Sequence, residues 1–206
     1  QWYAVHTYSG YEEAVARYQQ AAMEVKNAMM RRLYDEKKEI FFKGLEVGKN
    51  RRLVKDRTID ASAFYCLLEF GVLEARDPLL ENFAEVVEKS LSSRRPVYGI
   101  ARYENDDWYR IQGNFVGNPW FLCTIWLHDF YLQKAISKDE LDQVRQFFVW
   151  IAKYALPSGI LSEQLDPRNG DQVSFSPLTW SHAAFVSLTI AYLEKLEELG
   201  GAKFFQ

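Results

Sequence analysis

The stretch "NPWFLCTIWLHDFYL", residues 118–132, decides the fold. Apolar residues occupy nearly every side of a helix drawn through it, and a helix of that kind is predicted to be buried. Two further segments share this character, "DASAFYCLLEFGVL" (60–73) and "LTWSHAAFVSLTIAYL" (178–193). The helices predicted between them, such as "KDELDQVRQFFVWIAKYAL" (138–156), carry a single apolar stripe, which is typical of a covering layer.

Covering and buried helices therefore alternate along the chain. Periodicity predicts helices over residues 12–35, 60–74, 78–92, 118–134, 138–155 and 177–198. The buried ones begin near Asp60, Asn118 and Pro177, at intervals of 58 and 59 residues. This repeat of one outer and one inner helix predicts an all-α protein of about six helices, and helix pairs that close into a ring, an α/α toroid, fit the alternation. A solenoid of helix pairs fits the same pattern.

Three long polar segments, 36–59, 93–117 and 156–176, precede the buried helices. The first contains "EIFFKGL" and "RRLVKDRT", which we expect to form a short β-hairpin. Connections of this length in a compact domain are usually functional. In a toroid they would meet at the end of the ring where the inner helices begin, so we expect the functional site there.

Composition excludes several classes of function. The net charge is −3, with 25 basic and 28 acidic residues, so no electrostatic footprint for nucleic acid or an anionic membrane is present. No apolar run approaches the ~20 residues of a membrane span. Cys66 and Cys123 are predicted to be buried, reduced thiols, and His6, His128 and His182 lack metal-ligand spacing. We predict no metal, no organic cofactor, no nucleic-acid partner and no membrane partner.

The polar segment before the last helix carries the most specific motif, "PSGILSEQLDPRNGDQVSFSPLTWS" (157–181). It holds Glu163-Gln164, Asp166, Gly170, Ser174 and then Leu-Thr-Trp-Ser at 178–181. Together with "TIDAS" (58–62), "GIARYENDDWY" (99–109) and "GNPWFLCTIWL" (117–127), it resembles the glucoamylase-type inverting glycoside hydrolases. The resemblance covers about residues 11–199.

The resemblance implies a role for each matching residue. Glu163 would be the general base that activates a water, and Ser174 would orient its carboxylate. The substrate-binding residues would be Arg102, Asp106, Trp108, Trp120 and Trp180. Trp108 replaces an aromatic residue that is usually Tyr, so stacking on sugar is implied less directly for it. The implied substrate is an α-glucan or oligosaccharide, from whose non-reducing ends glucose is released with inversion.

The front of the chain departs from this family. "YAVHTYS" (3–9) resembles the sequence that follows the family's Trp-Glu-Glu stretch, so Gln1 falls on the second Glu and the general acid is expected before residue 1. The ring of this family has six helical hairpins, or twelve helices, and only six helices are predicted here, so the resemblance implies a partial (α/α)6 toroid. We therefore expect an atypical front (1–10), the C-terminal half of the toroid (11–199) and a tail (200–206). Such a chain is expected to be weakly active or inactive alone, to self-associate through exposed apolar helices, and to be cytoplasmic.

Three other interpretations stay open. The chain could be a non-catalytic glucan-binding or regulatory toroid module, or an interaction protein of the solenoid kind. Residues 2–15, "WYAVHTYSGYEEAV", also resemble the start of NusG-type transcription elongation factors, although no basic face accompanies them.

Overall fold

The computed structural model describes residues 12–93, 96–113 and 115–200, and this part of the chain contains six helices and eight short strands. The helices are α1 (Glu12–Leu33), α2 (Ala61–Glu69), α3 (Pro78–Leu91), α4 (Phe121–Lys134), α5 (Lys138–Tyr154) and α6 (Thr179–Glu198). All six predicted helices are confirmed. The second ends at Glu69 rather than at residue 74, because the chain turns through Gly71, whose φ is 61°.

Side-chain caps define the starts of three helices. Asp60 precedes α2 and accepts hydrogen bonds from the Ser62 and Ala63 backbone N–H groups, at 2.7 and 3.4 Å. Asp77 caps α3, whose first residue is a proline, and Ser137 caps α5. Each cap satisfies a backbone donor that the helix itself cannot pair. In contrast, α4 and α6 begin without a side-chain cap.

Helix α4, whose sequence is apolar on nearly every side, lies at the centre of the fold. It packs against α2, α5 and α6, and nine of its 14 residues are buried. On one side Phe130 meets the edge of Phe64, with ring centroids 5.4 Å apart. On another side Phe121 packs with the apolar stripe of α5, which includes Phe147. The prediction that this segment forms the core is confirmed.

The prediction that the sixth helix is buried is wrong for most of α6. Only Ser181 and Leu188 are buried in it, whereas Trp180, Val186 and Ile190 are exposed. A sequence that is apolar all round shows that every face can be covered, but the described residues cover only the side that packs on α4 and α5. Helix α1 likewise buries none of its residues.

Eight short strands pair in four antiparallel hairpin-like units within the described residues. The strands are β1 (Tyr34–Asp35), β2 (Ile40–Phe41), β3 (Gly44–Val47), β4 (Leu53–Asp56), β5 (Ser92–Ser93), β6 (Gly99–Ile100), β7 (Gln164–Leu165) and β8 (Gln172–Val173). The predicted hairpin is confirmed for β3 and β4, with Gly44 opposite Asp56. The strand over 40–41 instead pairs back onto β1. The region therefore contains two hairpins rather than one.

Isolated β-bridges bring the long segments together at the starts of the buried helices. Tyr103 pairs with Asp60 at the start of α2, and Trp120, just before α4, pairs with both Ile100 and Gln164. The polar segments therefore meet at one end of the helix layer, as predicted. That end carries the motif residues.

Candidate active site

The backbone of Glu163 is held from two sides. Its carbonyl accepts the N–H of Phe121, the first residue of α4, at 3.2 Å, and its own N–H donates to the Phe175 carbonyl at 2.8 Å. At the neighbouring residue, the buried Ser181 hydroxyl of α6 donates to the Ser162 carbonyl at 2.9 Å. This last bond gives the Leu-Thr-Trp-Ser motif a structural purpose, because its serine anchors the segment that carries Glu163.

Three donors converge on one oxygen of the half-buried Glu163 carboxylate. The Ser174 hydroxyl and the Trp108 indole N–H both donate to Oε2, the latter at 3.0 Å, and the Gln164 side-chain amide lies 3.3 Å from the same atom. Within the described part of the chain, every hydrogen bond to this carboxylate goes to Oε2. These bonds orient the carboxylate, and Oε1 receives none of them.

Arg102 and Asp106 form a two-point ion pair. The guanidinium donates from Nε to Oδ2 at 3.0 Å and from Nη2 to Oδ1 at 2.7 Å. Asp106 is buried, and its Oδ1 also accepts the backbone N–H of Trp108 at 3.1 Å. Burial alone lowers the pKa of Arg102, but the bonds to Asp106 raise it overall. This ion pair therefore fixes the turn that presents Trp108 to Glu163.

A buried amide pair links the two loops of the site. Asn118 donates through Nδ2 to the side-chain oxygen of Gln164 at 2.7 Å and to the Tyr109 carbonyl at 2.8 Å. Its Oδ1 accepts the Ile111 N–H at 3.0 Å. Neither Asn118 nor Gln164 is among the site residues predicted from the sequence. The signal was present, however, in an amide directly after Glu163 and another directly before Pro119.

The two remaining tryptophans of the predicted site lie in different surroundings. Trp120 is 5% exposed and lies beneath Arg102, whose guanidinium carbon is 4.6 Å from the ring centroid. Trp180 is 58% exposed, and its ring meets the edge of Trp126 at 5.7 Å. No described contact joins Trp180 to Glu163. The described contacts thus gather Arg102, Asp106, Trp108, Trp120 and Ser174 around Glu163, and they do not include Trp180.

Non-glycine residues with positive φ concentrate in the two loops of the site. Asn105, Tyr109 and Ser174 have φ values of 61°, 52° and 67°. The left-handed region costs an L-residue about 1–2 kcal/mol, and such strain is concentrated at functional sites. A tight turn completes the second loop, in which the Arg168 side chain donates to Asp166. This bond lowers the pKa of Asp166 below its usual value, although burial acts to raise it.

The described residues contain no cluster of three or more potential metal ligands and no helix long and apolar enough to cross a membrane. His128 and His182 have structural contacts: His128 lies against the Thr124 carbonyl, and His182 accepts the Leu161 N–H. His6 lies outside the described residues. Both cysteines are free, as predicted, although Cys66 is half-buried rather than buried. The groups available for chemistry at the site are an oriented carboxylate, that of Glu163, and the polar and aromatic side chains beside it.

Comparisons with known proteins agree with the motifs. The family model described as "Glycosyl hydrolases family 15" matches residues 139–190. An uncharacterized glycosyl hydrolase of Methanocaldococcus jannaschii is 31% identical over 171 residues, which is 79% of this chain and 25% of that protein. The chain thus spans about a quarter of the length of this curated relative.

Solved structures share the fold. A bacterial glucoamylase complexed with acarbose superimposes with a TM-score of 0.72 at 21% identity, over 89% of this chain and 30% of that one. A glycosidase variant in complex with glucose gives 0.65 at 17%, over 89% and 45%. The family 15 glucoamylase of Hypocrea jecorina gives 0.61 at 18%, over 87% and 38%. The described part of the chain therefore shares the fold of these neighbours, and its six helices belong to an α/α toroid rather than to a solenoid.

Proposed function

We propose that this chain carries the base side of an inverting glucosidase site, in which Glu163 activates the water that attacks the sugar. The observation that carries the proposal is the arrangement at the carboxylate. Ser174, Trp108 and Gln164 all donate to Oε2, so the carboxylate is held in one orientation and Oε1 is available to a water. A base needs a fixed orientation and an acceptor atom for the proton that it takes.

The proposed reaction follows from the geometry of inversion. Glu163 takes a proton from water through Oε1 while the water oxygen bonds to the anomeric carbon on the face opposite the leaving group. The glycosidic C–O bond breaks, and a carboxylic acid roughly 6.5–9.5 Å from the base protonates the leaving oxygen. An α-linked glucose is released as β-glucose. We assign no residue of this chain to the acid.

The substrate side of the proposal rests on Arg102 and the aromatic residues. The Arg102–Asp106 pair retains a partly exposed guanidinium, which is a suitable donor for sugar hydroxyls. Trp108, Tyr109 and Phe175 form an exposed aromatic group beside Glu163, with ring centroids 5.1–6.4 Å apart. Aromatic faces accommodate the apolar face of a sugar ring. The acarbose and glucose complexes of the structural neighbours favour a glucose-type ligand, and we propose α-glucans and their oligosaccharides as substrates.

The base can be tested separately from the acid by a choice of substrate. In α-glucosyl fluoride the leaving group departs as fluoride and needs little protonation, whereas maltotriose needs an acid at the leaving oxygen. We expect the chain to release fluoride from α-glucosyl fluoride and to hydrolyse maltotriose much more slowly. Proton NMR of the early product should show β-glucose, the anomer that inversion yields.

Two variants provide the control. Glu163→Gln removes the base and should abolish fluoride release, while Glu104→Gln, a matched change at a carboxylate bonded to the Ile59 N–H, should retain it. Fluoride release that survives Glu163→Gln would contradict the assignment of the base. Binding of maltotriose without any fluoride release would instead support the alternative of a non-catalytic glucan-binding module.

A further inference from the structure

The side chain of Trp108 makes a contact that stacking on sugar does not require. Its indole Nε1 lies 3.0 Å from Glu163 Oε2, while the ring remains 43% exposed. We propose that Trp108 is a positioning residue for the base: its N–H reserves Oε2 as an acceptor and thereby directs the proton taken from water to Oε1. This inference rests on the proposed function, in which Glu163 is the base.

The chemistry of the indole explains why this donor differs from the other two. An indole N–H can donate but cannot accept, and it does not titrate in the range where an enzyme works. The Ser174 hydroxyl can rotate and accept a hydrogen bond instead, and the Gln164 amide nitrogen lies farther from Oε2, at 3.3 Å. Trp108 therefore makes the shorter bond of the two donors that cannot accept. A proton placed on Oε2 would face the indole N–H directly, so Oε1 is the favoured site of protonation.

Contacts on several sides of Trp108 hold its ring in place. It lies against Phe175, with centroids 6.4 Å apart and planes at 24°, and its edge meets Tyr109 at 5.1 Å. The Trp108 backbone N–H is bonded to Asp106, and the Phe175 carbonyl accepts the Glu163 N–H at 2.8 Å. Glu163, Phe175 and Trp108 thus form a closed ring of contacts. The indole is supported from the same loop that supports the carboxylate.

The test uses the indole N–H signals of the full chain in a proton–nitrogen NMR correlation spectrum recorded across acidic pH. Trp108→Phe identifies the Trp108 signal by its loss. We expect the position of that signal to depend on pH, because its acceptor is a carboxylate, and we expect Glu163→Gln to remove this dependence. Trp150 is an internal control, because its indole N–H donates to the Tyr98 backbone carbonyl at 3.0 Å, an acceptor that cannot titrate.

Trp180→Phe is the matched control variant and should leave the pH dependence of the Trp108 indole signal unchanged. A Trp108 signal that keeps the same pH dependence in Glu163→Gln, or that is as flat as the Trp150 signal in the parent chain, would overturn the proposal. An unchanged Trp150 signal in each variant verifies that the fold is retained. Because no turnover is needed, this result is independent of fluoride release, so the failure of the indole contact can be distinguished from the failure of the proposed activity.

Discussion

Lowering the pH should destabilise the protein through His128, a residue in the middle of the central helix. Its ring stacks on Phe147 with centroids 3.9 Å apart and planes at 14°, and it meets the edges of Tyr98 and Tyr131. Its Nδ1 lies 2.8 Å from the Thr124 carbonyl, which can only accept, so Nδ1 carries the hydrogen. Burial lowers the pKa of His128 from 6.5 to about 4, against the opposing effect of the Thr124 carbonyl.

The sign and the size of the effect follow from linkage. Because the pKa is lower in the folded protein, the unfolded chain binds the proton first as pH falls. The contribution of neutral His128 to stability is complete above the unfolded pKa of 6.5 and is lost progressively toward pH 4. Each unit of pKa difference corresponds to ~1.4 kcal/mol, so moving from about pH 7.5 to about pH 5 should remove roughly 2 kcal/mol from the free energy of unfolding.

Urea unfolding followed by tryptophan fluorescence at the two pH values measures this loss. His128→Phe keeps an aromatic ring against Phe147 but cannot titrate, so its stability should decline less than that of the parent chain, by about 2 kcal/mol. Thr189→Ala is the matched control, because it removes another side-chain bond to a helix carbonyl, from Thr189 Oγ1 to the Phe185 oxygen, without removing a titrating group. Equal losses in the parent chain and in His128→Phe would refute the reasoning.

Three further predictions concern the site loops and α6. Ser174→Ala and Ser174→Gly should both reduce fluoride release. In urea unfolding the glycine variant should be more stable than the alanine variant by about 1 kcal/mol, because a φ of 67° strains alanine and not glycine. Equal stabilities of the two variants would contradict this strain. Gly170→Ala places a Cβ 2.2 Å from Tyr154 and should reduce the free energy of unfolding by at least about 2 kcal/mol. Gly159→Ala is also at positive φ but has open space around it, and should reduce it by only about 1 kcal/mol. Thermal unfolding of the two variants tests this order. Ile190→Lys should weaken concentration-dependent association in sedimentation velocity, and Gln143→Lys should not; no association in the parent chain would remove the premise.

The helices could be predicted because their signal is local. The segment of α4 is apolar on nearly every side, and nine of its 14 residues are buried. The same pattern failed for α6, because burial depends on neighbours that lie elsewhere in the chain. Hydrophobic periodicity shows that the face of α6 with Val186 and Ile190 is suited to burial. Whether another element covers that face depends on the packed structure.

The sequence predicted which residues belong to the site, but not all of the contacts between them. Glu163 and Ser174 could be named from a motif, and the structure brings their side chains into contact. The bond from Trp108 to the carboxylate could not be predicted, because it depends on a loop that turns through a positive φ at Asn105 and Tyr109. Such conformations are uncommon for non-glycine residues and leave no periodic trace in a sequence.

The placement of Glu163 depends on two helix starts rather than on the loop alone. The start of α4 contributes the Phe121 N–H to the Glu163 carbonyl, and the Pro119 carbonyl accepts the Leu165 N–H at 2.9 Å. The start of α6 contributes the Ser181 hydroxyl, which holds Ser162. Because α4 is buried and packed on several sides, it provides the rigid reference that an oriented base needs. The long polar loop that follows α5 can therefore be mostly irregular and still hold one carboxylate oxygen in a fixed direction.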